Sequence, residues 1–138
     1  MLAWDIAAAL PGLRREAEGR MVDACVIRRP GGPSVFDPVL GDYVDPDDEV
    51  VYEGRCEVQI ADGLSTRETE VGGTEAALSR VTVKVPTSVV GIRRGDLVEI
   101  TACRNDADLI GTEFRVLESP AKSWATARRL HVERMSAT

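Results

Sequence analysis

The feature that most constrains the fold of this 138-residue chain is an alternation of apolar and polar residues that begins at Asp23 and recurs along the rest of the sequence. It is clearest in RVTVKVP, where Val81, Val83 and Val85 alternate with polar residues before Pro86. Period two places every second side chain on one face of a strand, and proline ends a strand because it cannot donate to a ladder. The chain is therefore predicted to be mainly β.

Clusters of Gly, Pro and Asp separate six or seven short predicted strands, a spacing typical of a small β-barrel or sandwich. A hairpin turn is predicted at 37–42 and a break at Glu53-Gly54. Beyond that break, Cys56, Val58 and Ile60 are expected to face the core. The predicted strands are 24–29, 49–52, 55–60, 80–85, 97–102, 113–118 and 127–133, with a short piece near 34–36.

Apolar residues spaced three and four apart precede the strands and predict a helical face. Pro11 interrupts this pattern, and proline is tolerated in a first turn but is costly in a helix interior. We therefore expect a short turn or helix before Leu10 and the main helix from Pro11 to about Arg20. The predicted organisation is an N-terminal helical arm at 1–22 and a β-barrel domain at 23–138. The apolar face comprises Leu2, Ile6, Leu10, Leu13, Ala17 and Met21.

One segment, ADGLSTRETEVGGTEA at 61–76, has no apolar period, although alternating strands flank it on both sides. Connections of this length without structure of their own are uncommon in compact domains and are usually functional or disordered. Gly72 and Gly73 near its end permit backbone conformations that other residues resist, and can act as hinges. We predict a long inter-strand loop that projects from the barrel.

The charge balance, 17 Lys and Arg against 23 Asp and Glu, gives a net charge of −6. A nucleic-acid coat protein would carry a basic surface, so this class is disfavoured. No apolar run approaches the length of a membrane-spanning helix, and the N-terminus lacks the layout of a secretory signal. We expect a soluble, cytoplasmic chain without a membrane partner.

The sequence has one histidine and three separated cysteines, and it contains no glycine-rich phosphate-binding motif and no paired Cys or His ligand motif. We therefore predict no enzyme, no catalytic residue, no metal and no cofactor. The one histidine, His131, has the parity of an exposed strand residue. Cys25, Cys56 and Cys103 have strand-like neighbours and are expected to be small buried thiols. The acidic segment 37–53 carries carboxylates that suit a hard cation. Its spacing does not match an EF-hand, so a solvated acidic turn is favoured and cation binding stays open.

Basic residues cluster away from that acidic segment, on the predicted helix and near the C-terminus. Such asymmetry is compatible with self-association of an acidic face against a basic face, in a repeated contact that closes into a ring. Ordinary surface charge is the alternative. The basic residues predicted to contact a partner are Arg14, Arg15, Arg20, Arg128 and Arg129.

Several stretches, taken in order, carry a family resemblance across nearly the whole chain. They are LPGLRREAE (10–18), DACVIRR (23–29), FDPV (36–39), VYEGRCEVQ (51–59), GDLVEIT (95–101), GTEFRV (111–116) and WATARRL (124–130). With this order and spacing, the chain resembles the small head-to-tail connector proteins of actinobacterial tailed phages.

The resemblance implies a stopper, or head-closure, protein. Such a protein is a small β-barrel that forms a homo-oligomeric ring in the virion neck, of six or twelve subunits here, after assembly in the host cytoplasm. The adaptor and portal would lie above it, and the tail terminator or tail tube below. A long loop reaches the channel and helps to retain packaged DNA, and 61–76 occupies the corresponding position. The implied channel residues are Asp62, Leu64, Arg67, Glu68, Glu70, Gly72, Gly73 and Glu75.

Two alternatives remain open at the level of sequence. One is another neck protein, an adaptor or a tail terminator, although adaptors of this kind are mostly helical and only one helix is convincing here. The other is an OB-like barrel that binds single-stranded nucleic acid by stacking bases on aromatic side chains in a basic groove. Six aromatic residues in all and an acidic total disfavour it.

Overall fold

In a computed structural model, which describes residues 2–61 and 80–135, six antiparallel strands close into a barrel that follows one N-terminal helix. The helix α1 spans Leu2–Gly19. The strands are β1 (Asp23–Arg29), β2 (Val35–Asp37), β3 (Asp42–Val44), β4 (Glu49–Ala61), β5 (Arg80–Val85), β6 (Leu97–Ala102), β7 (Glu113–Glu118) and β8 (Arg128–Arg134). A short 3₁₀ helix, Ala107–Leu109, lies between β6 and β7.

The barrel order is β1-β4-β5-β8-β7-β6, and β6 pairs with β1 to close it. Closure leaves no unpaired edge among these six strands. Register shifts occur at Ile27/Arg28, Ala24/Cys25 and Val116/Glu118. Such bulges bend strands and increase their twist, as a small barrel requires. The predicted small β-barrel with an N-terminal helix is confirmed.

The barrel interior is filled by the apolar set of the alternating pattern. Val81, Val83 and Val85 all point inward, as predicted, and Phe114 is the largest fully buried side chain among the described residues. Aliphatic and aromatic burial of this kind supplies most of the driving force for folding. The core cluster comprises Cys25, Ile27, Cys56, Val81, Val83, Val85, Val89, Ile92, Val98, Ile100, Phe114, Val116, Leu130 and Val132.

Three details of the prediction are wrong. First, α1 continues through Pro11. A proline inside a helix removes its own hydrogen bond to the residue four positions earlier. The run of alanines around Ile6 has the highest intrinsic helix propensity, which favours continuation across that loss. Of the predicted apolar face, Leu10 is buried but Leu13 is 46% exposed.

Second, no break occurs at Glu53-Gly54, because β4 is one strand of 13 residues. Its first part pairs with β1 and its second part with β5. Gly54 makes room for a neighbour: a Cβ there would lie 2.7 Å from the Tyr52 hydroxyl oxygen. Third, Ile60 is 58% exposed, whereas Cys56 on the same face is fully buried. Burial on this face of β4 thus decreases from Cys56 to Ile60.

A buried carboxylate fixes the turn that enters β6. Asp96 is only 2% exposed and accepts hydrogen bonds from Arg29 Nε and Nη2, both at 3.1 Å. It also accepts the Arg93 backbone N–H at 2.8 Å, and Arg29 Nη2 donates to the Gly91 carbonyl at 2.7 Å. The hydrogen bond to Asp96 raises the pKa of Arg29. A buried charge is tolerated when it is paired and hydrogen-bonded in this way.

The cysteine prediction holds for two of the three thiols. Cys25 and Cys56 are fully buried in the barrel core, and Cys103 is half-buried at its margin. The pKa of Cys56 is raised, mainly by its hydrogen bond with Cys25 and next by its burial. A thiol with a raised pKa is poorly nucleophilic, which suits a packing role.

Tyr52 gives the barrel a pH-dependent contribution to stability. Its hydroxyl donates to the Arg55 carbonyl at 2.7 Å, and burial raises its pKa from 10.0 to about 12. The folded state therefore holds the phenol proton more tightly than the unfolded state does. The stabilisation is fully present below pH 10 and is lost as the pH rises toward 12.

We expect Tyr52→Phe to lower the free energy of unfolding by about 1 kcal/mol at pH 8, because one hydrogen bond is lost. The gap between the two proteins should narrow as the pH rises above 10. Urea unfolding of both proteins at pH 8 and pH 11 measures this difference in the free energy of unfolding. Tyr43→Phe, at an exposed phenol, is the matched control. A gap that stays constant with pH would contradict the account of Tyr52.

Candidate functional site

The structure places two chemically opposite surfaces on the barrel, a basic cleft and an acidic apolar hairpin. Of the predicted partner-contact residues, Arg14, Arg128 and Arg129 line the cleft, whereas Arg15 and Arg20 are exposed elsewhere on or just after α1. The predicted channel residues, Asp62, Leu64, Arg67, Glu68, Glu70, Gly72, Gly73 and Glu75, lie outside the described residues.

The cleft has a volume of about 430 Å³ and lies between α1, the end of β5 and the segment that leads into β8. Its sides carry five basic or titratable residues. Small residues form the rest of the surface. The lining comprises Arg14, Thr87, Pro120, Ala121, Lys122, Ala125, Ala127, Arg128, Arg129 and His131.

The helix contributes to the cleft because Leu10, Arg14 and Glu18 recur at a spacing of four and so share one face of α1. Leu10 is buried, and Glu18 lies 2.6 Å from Arg55 Nη2 on the barrel. On the same face, Arg14 Nε donates to the Ala125 carbonyl at 3.0 Å. These contacts tether the N-terminal helix to both β4 and the segment before β8.

Strand β8 contributes the other arginines. Arg128 Nε donates to the Val89 carbonyl at 2.6 Å, and its Nη2 donates to the Thr87 carbonyl at 3.4 Å. Arg129 and His131 have the same parity and are exposed, with Leu130 buried between them. The predicted exposure of His131 is thus confirmed, but its place beside a cleft was missed. The shared parity with Arg129 was the available signal.

The charge of the cleft is not neutralised by the part of the chain that the structure describes. Its lining includes no Asp or Glu. Carbonyl oxygens accept from Arg14 and Arg128, and these contacts orient the guanidinium groups without cancelling their charge. Ion pairs within residues 2–61 and 80–135 involve Arg28, Arg29, Arg55, Lys84 and Arg115 instead. The cleft therefore presents net positive charge.

The hairpin consists of β2, β3 and the turn between them, and it joins the end of β1 to the start of β4. At its tip the Gly41 N–H donates to the Asp37 carbonyl at 2.8 Å. Phe36 and Tyr43 pair across the strands with ring centroids 5.4 Å apart in an edge-to-face arrangement. This local structure confirms the turn predicted at 37–42.

The base of the hairpin is closely packed. A Cβ on Gly31 would lie 2.5 Å from the Pro46 carbonyl oxygen, so a larger residue does not fit there. The Gly31 N–H donates to Asp48 Oδ1 at 3.2 Å, and Ser34 donates to Asp45. The hairpin is thus held at its base, while its strands form a separate two-stranded sheet.

Beyond that base the hairpin exposes an unusual amount of apolar surface. Val39 and Leu40 at the tip are 90% and 69% exposed. The exposed apolar residues of the hairpin are Val35, Phe36, Val39, Leu40, Tyr43 and Val44. Contiguous exposed apolar surface of this kind marks sites of interaction on soluble proteins.

Two aspartates of the acidic segment 37–53 stabilise the hairpin turn by accepting hydrogen bonds from the backbone. Asp37 Oδ1 accepts from the Val39 N–H at 2.9 Å, and Asp42 Oδ1 accepts from the Tyr43 N–H at 2.7 Å. Asp side chains commonly bond the backbone in this way at turns. Within residues 2–61 and 80–135, no group of three or more His, Cys, Asp and Glu side chains is placed to hold a metal ion.

No helix in the described ranges is long and apolar enough to cross a bilayer. The described architecture defines a class: a small closed β-barrel with an N-terminal helix, one projecting hairpin and one basic cleft. The chain belongs to a family of unknown function, DUF6093, whose model matches residues 13–133. A comparison with curated protein sequences finds no match.

The fold is similar to the solution structure of protein SF1141 from Shigella flexneri 2a. The TM-score is 0.54 at 18% sequence identity, over 86% of this chain and 96% of that one. At this identity the likeness concerns the fold alone.

Proposed function

We propose that this protein is a structural component of the tailed-phage neck, a stopper or head-closure protein that forms a ring between the portal and adaptor above and the tail below. It acts by assembly rather than by catalysis. The sequence resemblance supplies the identity of the assembly. The observation that carries the proposal is the apolar hairpin, whose tip and strands are exposed on the described chain.

Exposed apolar side chains favour an interface, because burying apolar area contributes about 25 cal/mol per Å². Aromatic side chains such as Phe36 and Tyr43 are enriched at interface centres. A ring subunit needs two different surfaces that meet in repeated head-to-tail contacts. The hairpin and the basic cleft are the two surfaces that we propose for these contacts.

The connection between β4 and β5 supports the channel role by its place in the fold. Ala61 and Arg80 pair across the two strands, so residues 62–79 join two adjacent strand ends. Two residues are enough to connect such a pair. The remaining length is available for contact with the channel or with a neighbouring ring, and its sequence carries four acids against one arginine. An acidic lumen repels the DNA backbone weakly and lets it slide.

The test is the protein content of purified virions. Peptides of this chain should be present in tailed particles of the phage that encodes it, at the copy number of a single ring of six or twelve subunits. Quantitative mass spectrometry, scaled to the portal protein, measures this ratio. Absence of the chain from infectious particles would contradict the proposal.

A further inference from the structure

We propose that the hairpin of one copy of this protein, at residues 35–44, seats in the basic cleft of a neighbouring copy. The inference rests on the proposed ring assembly and names the contact that would build it. Three independent properties of the two surfaces support the pairing: the apolar character of the hairpin, the charge of each surface and the size of the cleft.

The first property is the apolar tip. Val39 and Leu40 are the most outward apolar residues of the turn, at 90% and 69% exposed. The small residues Ala121, Ala125 and Ala127 leave open space between the basic side chains of the cleft. Small side chains leave room for the tip, and burying its exposed apolar surface in the recess would contribute favourable free energy.

The second property is charge. Asp37 and Asp42 flank the tip, and one carboxylate oxygen of each accepts a backbone N–H of the turn. The cleft presents Arg14, Lys122 and Arg129 with no acidic lining residue. Placing the tip in the cleft brings these opposite charges to the rim, where they fix orientation and raise the rate of association.

The third property is size and placement. At about 430 Å³ the cleft falls within the range of about 300–1,000 Å³ typical of ligand pockets. This volume suits a turn tip better than a whole domain. The hairpin leaves the barrel between β1 and β4, whereas the cleft lies beside β5 and β8. The two surfaces differ, so the contact is head-to-tail, and a pair of copies keeps one free hairpin and one free cleft for further contacts.

Two complementary variants isolate the contact. The hairpin variant carries Val39→Asp and Leu40→Asp and keeps the cleft. The cleft variant carries Lys122→Glu and Arg129→Glu and keeps the hairpin. All four positions are exposed, so the barrel should fold in both. The control variant, Arg15→Glu with Arg20→Glu, makes the same change of charge at exposed positions outside the cleft.

The measurement is an NMR titration of the isotope-labelled hairpin variant with the unlabelled cleft variant, up to about 1 mM, where a contact worth only about 4 kcal/mol is half-saturated. We expect shifts at cleft residues such as Thr87, Ala121 and Ala125, and a complex that stops at two chains. Each variant alone should associate at least tenfold more weakly than the mixture. When the unlabelled control variant is added in place of the unlabelled cleft variant, the same shifts should appear in the labelled hairpin variant.

Several outcomes would overturn the inference. One is the absence of shifts in the mixture at about 1 mM, and another is self-association of the cleft variant alone, which would indicate a hairpin-to-hairpin contact. A third is a response of the cleft to a single-stranded oligonucleotide but not to the cleft variant. If the chain is present in virions but the mixed variants show no shifts, the neck role stands and this contact is wrong. The opposite result would retain the contact and remove the neck role.

Discussion

Phe114→Ala should destabilise the protein by about 3–5 kcal/mol, because truncating a fully buried phenylalanine removes its burial and leaves a cavity in a close-packed core. Phe114 is 1% exposed and pairs with Val98 on β6 and Arg134 on β8. It therefore lies where three strands of the barrel meet. A loss of this size is a large part of the 5–15 kcal/mol that stabilises a typical domain.

The matched control is Phe36→Ala, the same truncation at a side chain that is 52% exposed on the hairpin. We expect it to cost less than about 1 kcal/mol, because little buried area is lost. Urea unfolding followed by circular dichroism measures both. If the two variants lose similar stability, the hairpin is part of the core and its role as a separate docking element is wrong. Phe114→Leu should recover most of the loss.

If the proposed neck role is correct, the second large effect is expected in phage particles whose copy of this chain carries a deletion of Leu64–Gly73. The barrel should keep its stability, because residues 61 and 80 pair directly and eight of the eighteen connecting residues remain to join them. The particles should lose packaged DNA and infectivity by at least tenfold, because the segment proposed to contact the channel is missing. Nuclease sensitivity of packaged DNA and plaque titre measure the effect.

The control replaces Leu64–Gly73 by a Gly-Ser segment of the same length, which keeps the reach of the connection and removes its sequence. Loss of DNA in both variants indicates that specific side chains in 64–73 matter. Loss in the deletion alone indicates that length matters. Particles that keep their DNA and infect normally without this segment would show that the gating prediction is wrong.

The barrel was predictable because its strands follow the local rule of alternation. Val98 and Ile100, and Leu130 and Val132, are buried in the register that the sequence predicts. The missed boundaries have local causes that the sequence pattern does not contain. The helix continues through Pro11, and Gly54 accommodates a side chain rather than a turn.

The candidate site was predictable only in part. Basic residues near both ends of the chain were expected to contact a partner, but their union in one cleft depends on a contact between Arg14 and Ala125, 111 residues apart. No short-range pattern reports such a contact. The hairpin turn was predicted from its Asp, Pro and Gly residues, but the packing at its base depends on the close approach of Gly31 to Pro46, 15 positions away in the sequence.

The most direct test of the proposed neck role is a density map of the neck of infectious tailed-phage particles produced with this chain. Under the proposed neck role, we expect a ring of six-stranded barrels between the adaptor and the tail, with the hairpin of each subunit against the β8 side of the next. A neck in which that position is filled by another protein, or in which this chain is absent, would contradict it.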